Sequence, residues 1–105
     1  MLIIQWIETE LPCFVYFIRN PKGNIKIGVS RDVDARLRNL SESTCSDQRQ
    51  TLTLEGSVEF KNRSEAVAFE RQLHREFCLY RIKGEWFMPS KELQQRIQGL
   101  TAVSA

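Results

Sequence analysis

The sequence predicts a small α/β domain of the α+β type. Three observations predict it: two short β-branched and aromatic runs joined by a Pro/Gly/Asn turn, a third such run beyond a polar stretch, and three segments with apolar residues at helical spacing. At 105 residues the chain can build one compact unit with one core, so a single domain over 1–105 is expected. A composition of 42% hydrophobic and 27% charged residues is that of a soluble globular protein, not a disordered or membrane-spanning one.

In chain order, the opening "MLIIQWIETE" carries an apolar run that is broken by Gln5 and ends by Glu8. It lacks a basic start and a small-residue cleavage site, so it reads as an edge strand or docking segment over residues 1–13, in a cytoplasmic protein. "FVYFIR" (Phe14–Arg19) and "IKIGV" (Ile25–Val29) flank "NPKGN" and predict a β-hairpin. Within it Ile25, Ile27 and Val29 share one face, while Lys26 and Gly28 share the other, where the missing side chain suggests a surface open to a ligand. A first helix follows, with Ser30 as its cap and Val33, Leu37 and Leu40 as its apolar stripe, bordered by Arg36. Residues 41–50 read as a loop and "TLTLEGSVEF" (Thr51–Phe60) as the third strand. "GEWFMPS" reads as a turn or short extended piece, and Ser90 caps a last helix of about 90–100 carrying Leu93, Ile97 and Leu100. Cys13, Cys45 and Cys78 are odd in number and widely spaced, which suits buried or incidental thiols in a reducing compartment and neither a disulfide framework nor a zinc site.

The second helix holds the anomaly. Asn62 and Glu65 form a capping-box-like pair, and the helix runs to about Cys78. Ala66, Phe69, Leu73 and Phe77 cover a narrow arc, yet Glu70 falls beside Phe77, inside the span that Val67 extends, with His74 one turn later on the same flank. A carboxylate facing a core needs a partner, or burial shifts its pKa until it is neutral. Arg36, which intrudes on the stripe of the first helix, supplies a buried ion pair on one reading and half of a catalytic pair on the other.

Net charge is only +2, but it is unevenly spread. Between Arg19 and Arg38 six basic residues stand against two acidic, and between Lys61 and Lys83 six stand against three. Two basic segments predict a positive face for an anionic partner, DNA above all, if the fold unites them; otherwise they are solvated helix surface. Lys22, Arg31, Arg38, Arg71, His74 and Arg75 are the candidate DNA contacts.

The order of "VYFIRNPKGNIKIGVSRDVDARLRNL", then "AFERQLHREF", then "GEWF" resembles the GIY-YIG nuclease superfamily. It is most similar to the phage and bacterial DNA-binding subgroup with IKIG and E-x3-H…GEWF motifs, over residues 14–87. The resemblance implies a three-stranded antiparallel sheet flanked by helices, and a small endonuclease that hydrolyses DNA phosphodiester bonds with Mg²⁺ or Mn²⁺. It also implies roles: Tyr16 helps activate the attacking water, Arg36 stabilises charge on the phosphate and Glu70 holds the metal. Two departures stand out. The first motif is "VYF", without the family's glycine and isoleucine, and Lys26 occupies the place of its second catalytic tyrosine. Lys26 is expected to replace that tyrosine by priming Tyr16, since an ammonium nearby favours the phenolate. The alternatives are a non-catalytic DNA-binding module of the same fold, or a protein-interaction domain using Trp6 and the apolar N-terminus, with a homodimer formed through that segment.

Overall fold

The computed structural model describes residues 11–42 and 51–101. Residues 1–10, with Trp6 and most of the expected 1–13 docking segment, lie outside them, as do Cys45 and the 43–50 part of the expected loop.

β1 (Cys13–Arg19) and β2 (Ile25–Ser30) form the expected hairpin. Its turn is closed by Gly23 N–H donating to the Asn20 carbonyl at 2.9 Å and by Asn24 N–H donating to the Asn20 side-chain oxygen at 2.9 Å. This pairs Arg19 with Ile25 and Tyr16 with Gly28, the register that a simple five-residue turn dictates. β3 (Thr53–Phe60) pairs with the other side of β1.

The sheet is larger than the expected three strands. β4 (Arg81–Lys83) and β5 (Trp86–Phe87) extend it to five, in the order β3-β1-β2-β5-β4. Every neighbouring pair is antiparallel. Strands of three and two residues carry no readable alternation, so the sequence shows only their turn; Gly84, at φ +56°, takes the left-handed conformation that closes it.

α1 (Val33–Glu42) joins β2 to β3, α2 (Arg63–Glu76) follows β3, and α3 (Lys91–Thr101) ends the described chain. The cap of α1 differs from expectation. Asp32 accepts from Ala35 N–H at 3.0 Å, while Ser30 Oγ accepts from Asp32 N–H at 3.0 Å and so shapes the turn one step earlier. Asn62 caps α2 by accepting from Glu65 N–H at 2.9 Å, and Ser90 caps α3 by accepting from Leu93 N–H at 3.1 Å. α2 stops at Glu76, and a 3₁₀ turn over Cys78–Tyr80 leads into β4.

α2 and α3 cover one face of the sheet. Val15, Phe17, Ile25, Ile27 and Phe87 meet Ala66, Leu73, Phe77, Leu93 and Ile97 there. The other face carries Tyr16, Ile18, Lys26 and Gly28, all buried as well. The expectation of an open surface at Gly28 is thereby corrected, because the Tyr16 ring fills that space; a Cβ at Gly28 would collide with the phenol. Cys13 and Cys78 are free thiols, the first buried and the second exposed. Among the described residues no helix is long and apolar enough to cross a membrane.

Candidate functional site

β5 is only two residues long, so β2 runs on past it with an edge that no strand among the described residues covers. Side chains and turns take over. Ile27 N–H donates to the Glu85 carbonyl at 3.0 Å, and His74 of α2 donates from Nε2 to the Ile27 carbonyl at 3.0 Å. The carbonyl can only accept, which fixes the proton on Nε2. The His74 ring also packs edge-on to Phe87, with centroids 4.9 Å apart. His74 is therefore a brace between α2 and the sheet, with its Nε2 engaged by the backbone.

Glu70, one turn earlier on α2, is half-buried and lies near Glu85, which stands in the turn between β4 and β5, closely enough for the two charges to interact. Burial first, and then the charge of Glu85, push its carboxyl above the ordinary carboxylate range; His74 and Arg71 pull the other way. Two neighbouring carboxylates are eased by a proton or a cation between them. Arg36 is not the partner of Glu70. It is exposed, and its Nε donates to the Tyr16 hydroxyl at 3.4 Å, so the ion-pair alternative for Arg36 and Glu70 is not realised.

Tyr16 is 1% exposed. Burial raises its pKa above that of a free phenol, the Arg36 hydrogen bond and charge oppose the shift, and Glu85 and Glu70 reinforce it. The phenol is thus protonated at neutral pH. Since Arg36 donates to the phenolic oxygen, the O–H proton is free to point at another acceptor.

Lys26 does not prime Tyr16. Its ammonium pairs with Glu85 Oε1 at 3.2 Å and lies 5.5 Å from the centre of the Trp86 ring. The residue is 9% exposed, buried along the strand row Ile18–Lys26–Trp86. The expectation that it lowers the Tyr16 pKa is corrected: it lies on the same face as Tyr16, as expected, but Glu85 captures its charge first.

Four elements distant in sequence thus bring Tyr16, Arg36, Glu70 and Glu85 together, with Lys26 and His74 behind them. Glu85 is the residue the sequence did not single out. Its only signal was its place inside "GEWF", and nothing in a two-residue turn between short strands says where its side chain points. Of the remaining expected contacts, Lys22 sits in the β1–β2 turn, Arg31 and Arg38 flank and occupy α1, and Arg71 and Arg75 lie on α2; all five are exposed.

The donor set is one of hard oxygens, which suits Mg²⁺ or Mn²⁺. Among the described residues no three His, Cys, Asp or Glu side chains form a cage, so a cation here would take its remaining ligands from water and phosphate.

No curated protein and no solved structure matches the chain. A family model does, that of the T5orf172 domain, over residues 13–101. It overturns the resemblance to the GIY-YIG superfamily, which rested on the spacing of a few residues in a chain without that superfamily's first-motif glycine and second-motif tyrosine. The match runs from the first residue of β1 to the last of α3, taking in every strand and helix described here, and the chain belongs to the T5orf172 domain family.

Proposed function

We propose that this domain hydrolyses phosphodiester bonds in DNA with the help of a divalent cation. The observation that carries this reading is the convergence of a protonated tyrosine, an arginine on its oxygen, and two neighbouring carboxylates beside β2. Phosphoryl transfer needs fixed positive charge on the phosphate oxygens, a proton source and a means of neutralising the leaving oxygen. Arg36 offers the charge, because among the described residues only its Nε is engaged, leaving its terminal N–H groups for a phosphate oxygen. Tyr16 holds its proton at neutral pH and donates it to a phosphate oxygen or to the leaving oxygen, acting as a donor and not as a base, while the attacking water gives up its proton to solvent. Glu70 and Glu85 would hold Mg²⁺ or Mn²⁺ between them, and the cation would supply Lewis-acid stabilisation of the leaving oxygen. Lys26 holds the Glu85 carboxylate in place through their ion pair.

The test is incubation with end-labelled single-stranded, duplex and branched DNA at low salt, with and without Mn²⁺. Cleavage that requires the metal, stops with chelator and is lost in Glu70→Gln is the expected outcome. Binding without cleavage under every condition would overturn it in favour of a second reading, a non-catalytic DNA-binding module. One observation favours that reading: Lys26 is committed to Glu85, so the Tyr16 phenol has no lysine beside it to act as a base.

A further inference from the structure

The face of the sheet that carries Tyr16 continues outward to the edge. Cross-strand pairing sets Ile18 opposite Lys26, Lys26 opposite Trp86 and Trp86 opposite Lys83, so these four lie in one row on that face. Polarity changes along the row: Ile18 and Lys26 are buried, Trp86 is half-buried and Lys83 is exposed on the edge strand. Lys26 engages one side of the Trp86 ring and fixes it. Lys83 forms no ion pair among the described residues, and neither does its neighbour Arg81, whose Nε donates to the Gly84 carbonyl at 2.7 Å and leaves the rest of the guanidinium outward. A half-exposed ring beside unpaired cations at a sheet edge is the pairing of features that takes a base and its phosphate together. A second copy of the chain fits this edge poorly, because it would set Arg81 and Lys83 against their own like charges. A duplex keeps its base faces stacked inside, whereas a single strand presents them.

We propose that Trp86 and Lys83 form a track for single-stranded nucleic acid leading to the Tyr16 site, Trp86 stacking a base and Lys83 meeting the adjoining phosphate. The proposal rests on the nucleic-acid reading above and names the form of its substrate.

Binding is measured in chelator, so that no cleavage intervenes, by tryptophan fluorescence in a Trp6→Phe background with a twelve-residue oligothymidylate, the matching duplex and inorganic polyphosphate as probes. Oligothymidylate is expected to quench Trp86 while polyphosphate does not, and to bind tighter than the duplex. Trp86→Ala should weaken oligothymidylate binding by about fivefold to more than a hundredfold. Lys83→Gln, an exposed change that spares the fold, should lower the slope of log K against log salt by about 0.7. Unchanged affinity in Lys83→Gln, quenching by polyphosphate, or preference for the duplex would each overturn the track. Cleavage in Mn²⁺ with single-strand affinity indifferent to both variants removes the track and leaves the hydrolase reading; affinity that falls as expected with no cleavage does the reverse.

Discussion

Glu70 shows how a single residue reports its purpose through the cost it imposes. Burial and the Glu85 charge raise its carboxyl pKa in the folded state, so between its unfolded and folded pKa values the folded protein holds more protons than the unfolded one. Stability must then fall as pH rises through that window, because ionising Glu70 is harder in the fold than in the free chain. Glu70→Gln removes the titration. Melting temperatures of the two proteins should agree at acid pH and separate toward neutrality, the variant lying higher, and Mn²⁺ should raise the native protein and not the variant. Parallel melting curves across roughly pH 4 to 8 would contradict the shift and its cause. Arg36 makes the opposite case. It is exposed and its side chain, among the described residues, bonds only to the Tyr16 hydroxyl, so Arg36→Ala should change stability by no more than about 0.5 kcal/mol while abolishing cleavage, as Tyr16→Phe should by removing the proton donor. Cleavage that survives both changes at the native rate would remove Tyr16 and Arg36 from the chemistry.

At the scale of the elements, the β1–β2 hairpin decides where the site stands. Its register puts Tyr16 opposite Gly28, and the ring lies where a side chain at 28 would be. Gly28→Ala should therefore displace the phenol and break its bond with Arg36, at a cost of about 1–3 kcal/mol from overpacking. The check is a double-mutant cycle: Tyr16→Ala removes the obstacle, so the added cost of Gly28→Ala on that background should largely vanish, and additive losses would show that the methyl group clashes elsewhere. This hairpin was legible in the sequence because a five-residue turn and an alternating strand leave one register that buries Ile25 and Ile27. α2 was legible for the same reason, down to its Asn62 cap and to Glu70 turned inward. The β4–β5 hairpin was not, since two and three residues carry no period, and with it went Glu85 and the true partner of Lys26. The cap of α1 was missed because Ser30 and Asp32 both have the right chemistry, and only the backbone direction decides between them.

For the whole molecule, the open matter is which of the many cations meet a phosphate, and burial sorts them in a way that residue type does not. Lys22, Arg38, Arg71 and Arg75 are exposed and form no ion pair among the described residues, whereas Arg19 is paired with Glu55 at 2.7 Å and Arg96 with Glu76 at 3.3 Å. Lys26 is buried against Glu85 and Trp86, so it carries a charge that a polyanion outside the protein cannot neutralise. Each phosphate contact that releases a counterion contributes about −0.9 to the slope of log K against log salt on duplex DNA and about −0.7 on a single strand. Neutralising Arg38 or Arg71 by Gln should make the slope shallower by about one such step apiece if that residue touches the backbone. Lys26→Met should leave the slope unaltered, yet free Glu85 from its ammonium and so slow cleavage at saturating protein. The same variant thus separates two roles that charge alone confuses. A slope that falls in Lys26→Met with cleavage at saturation unchanged would mean that Lys26 leaves its pocket to meet the phosphate, and that Glu85 holds its position without it.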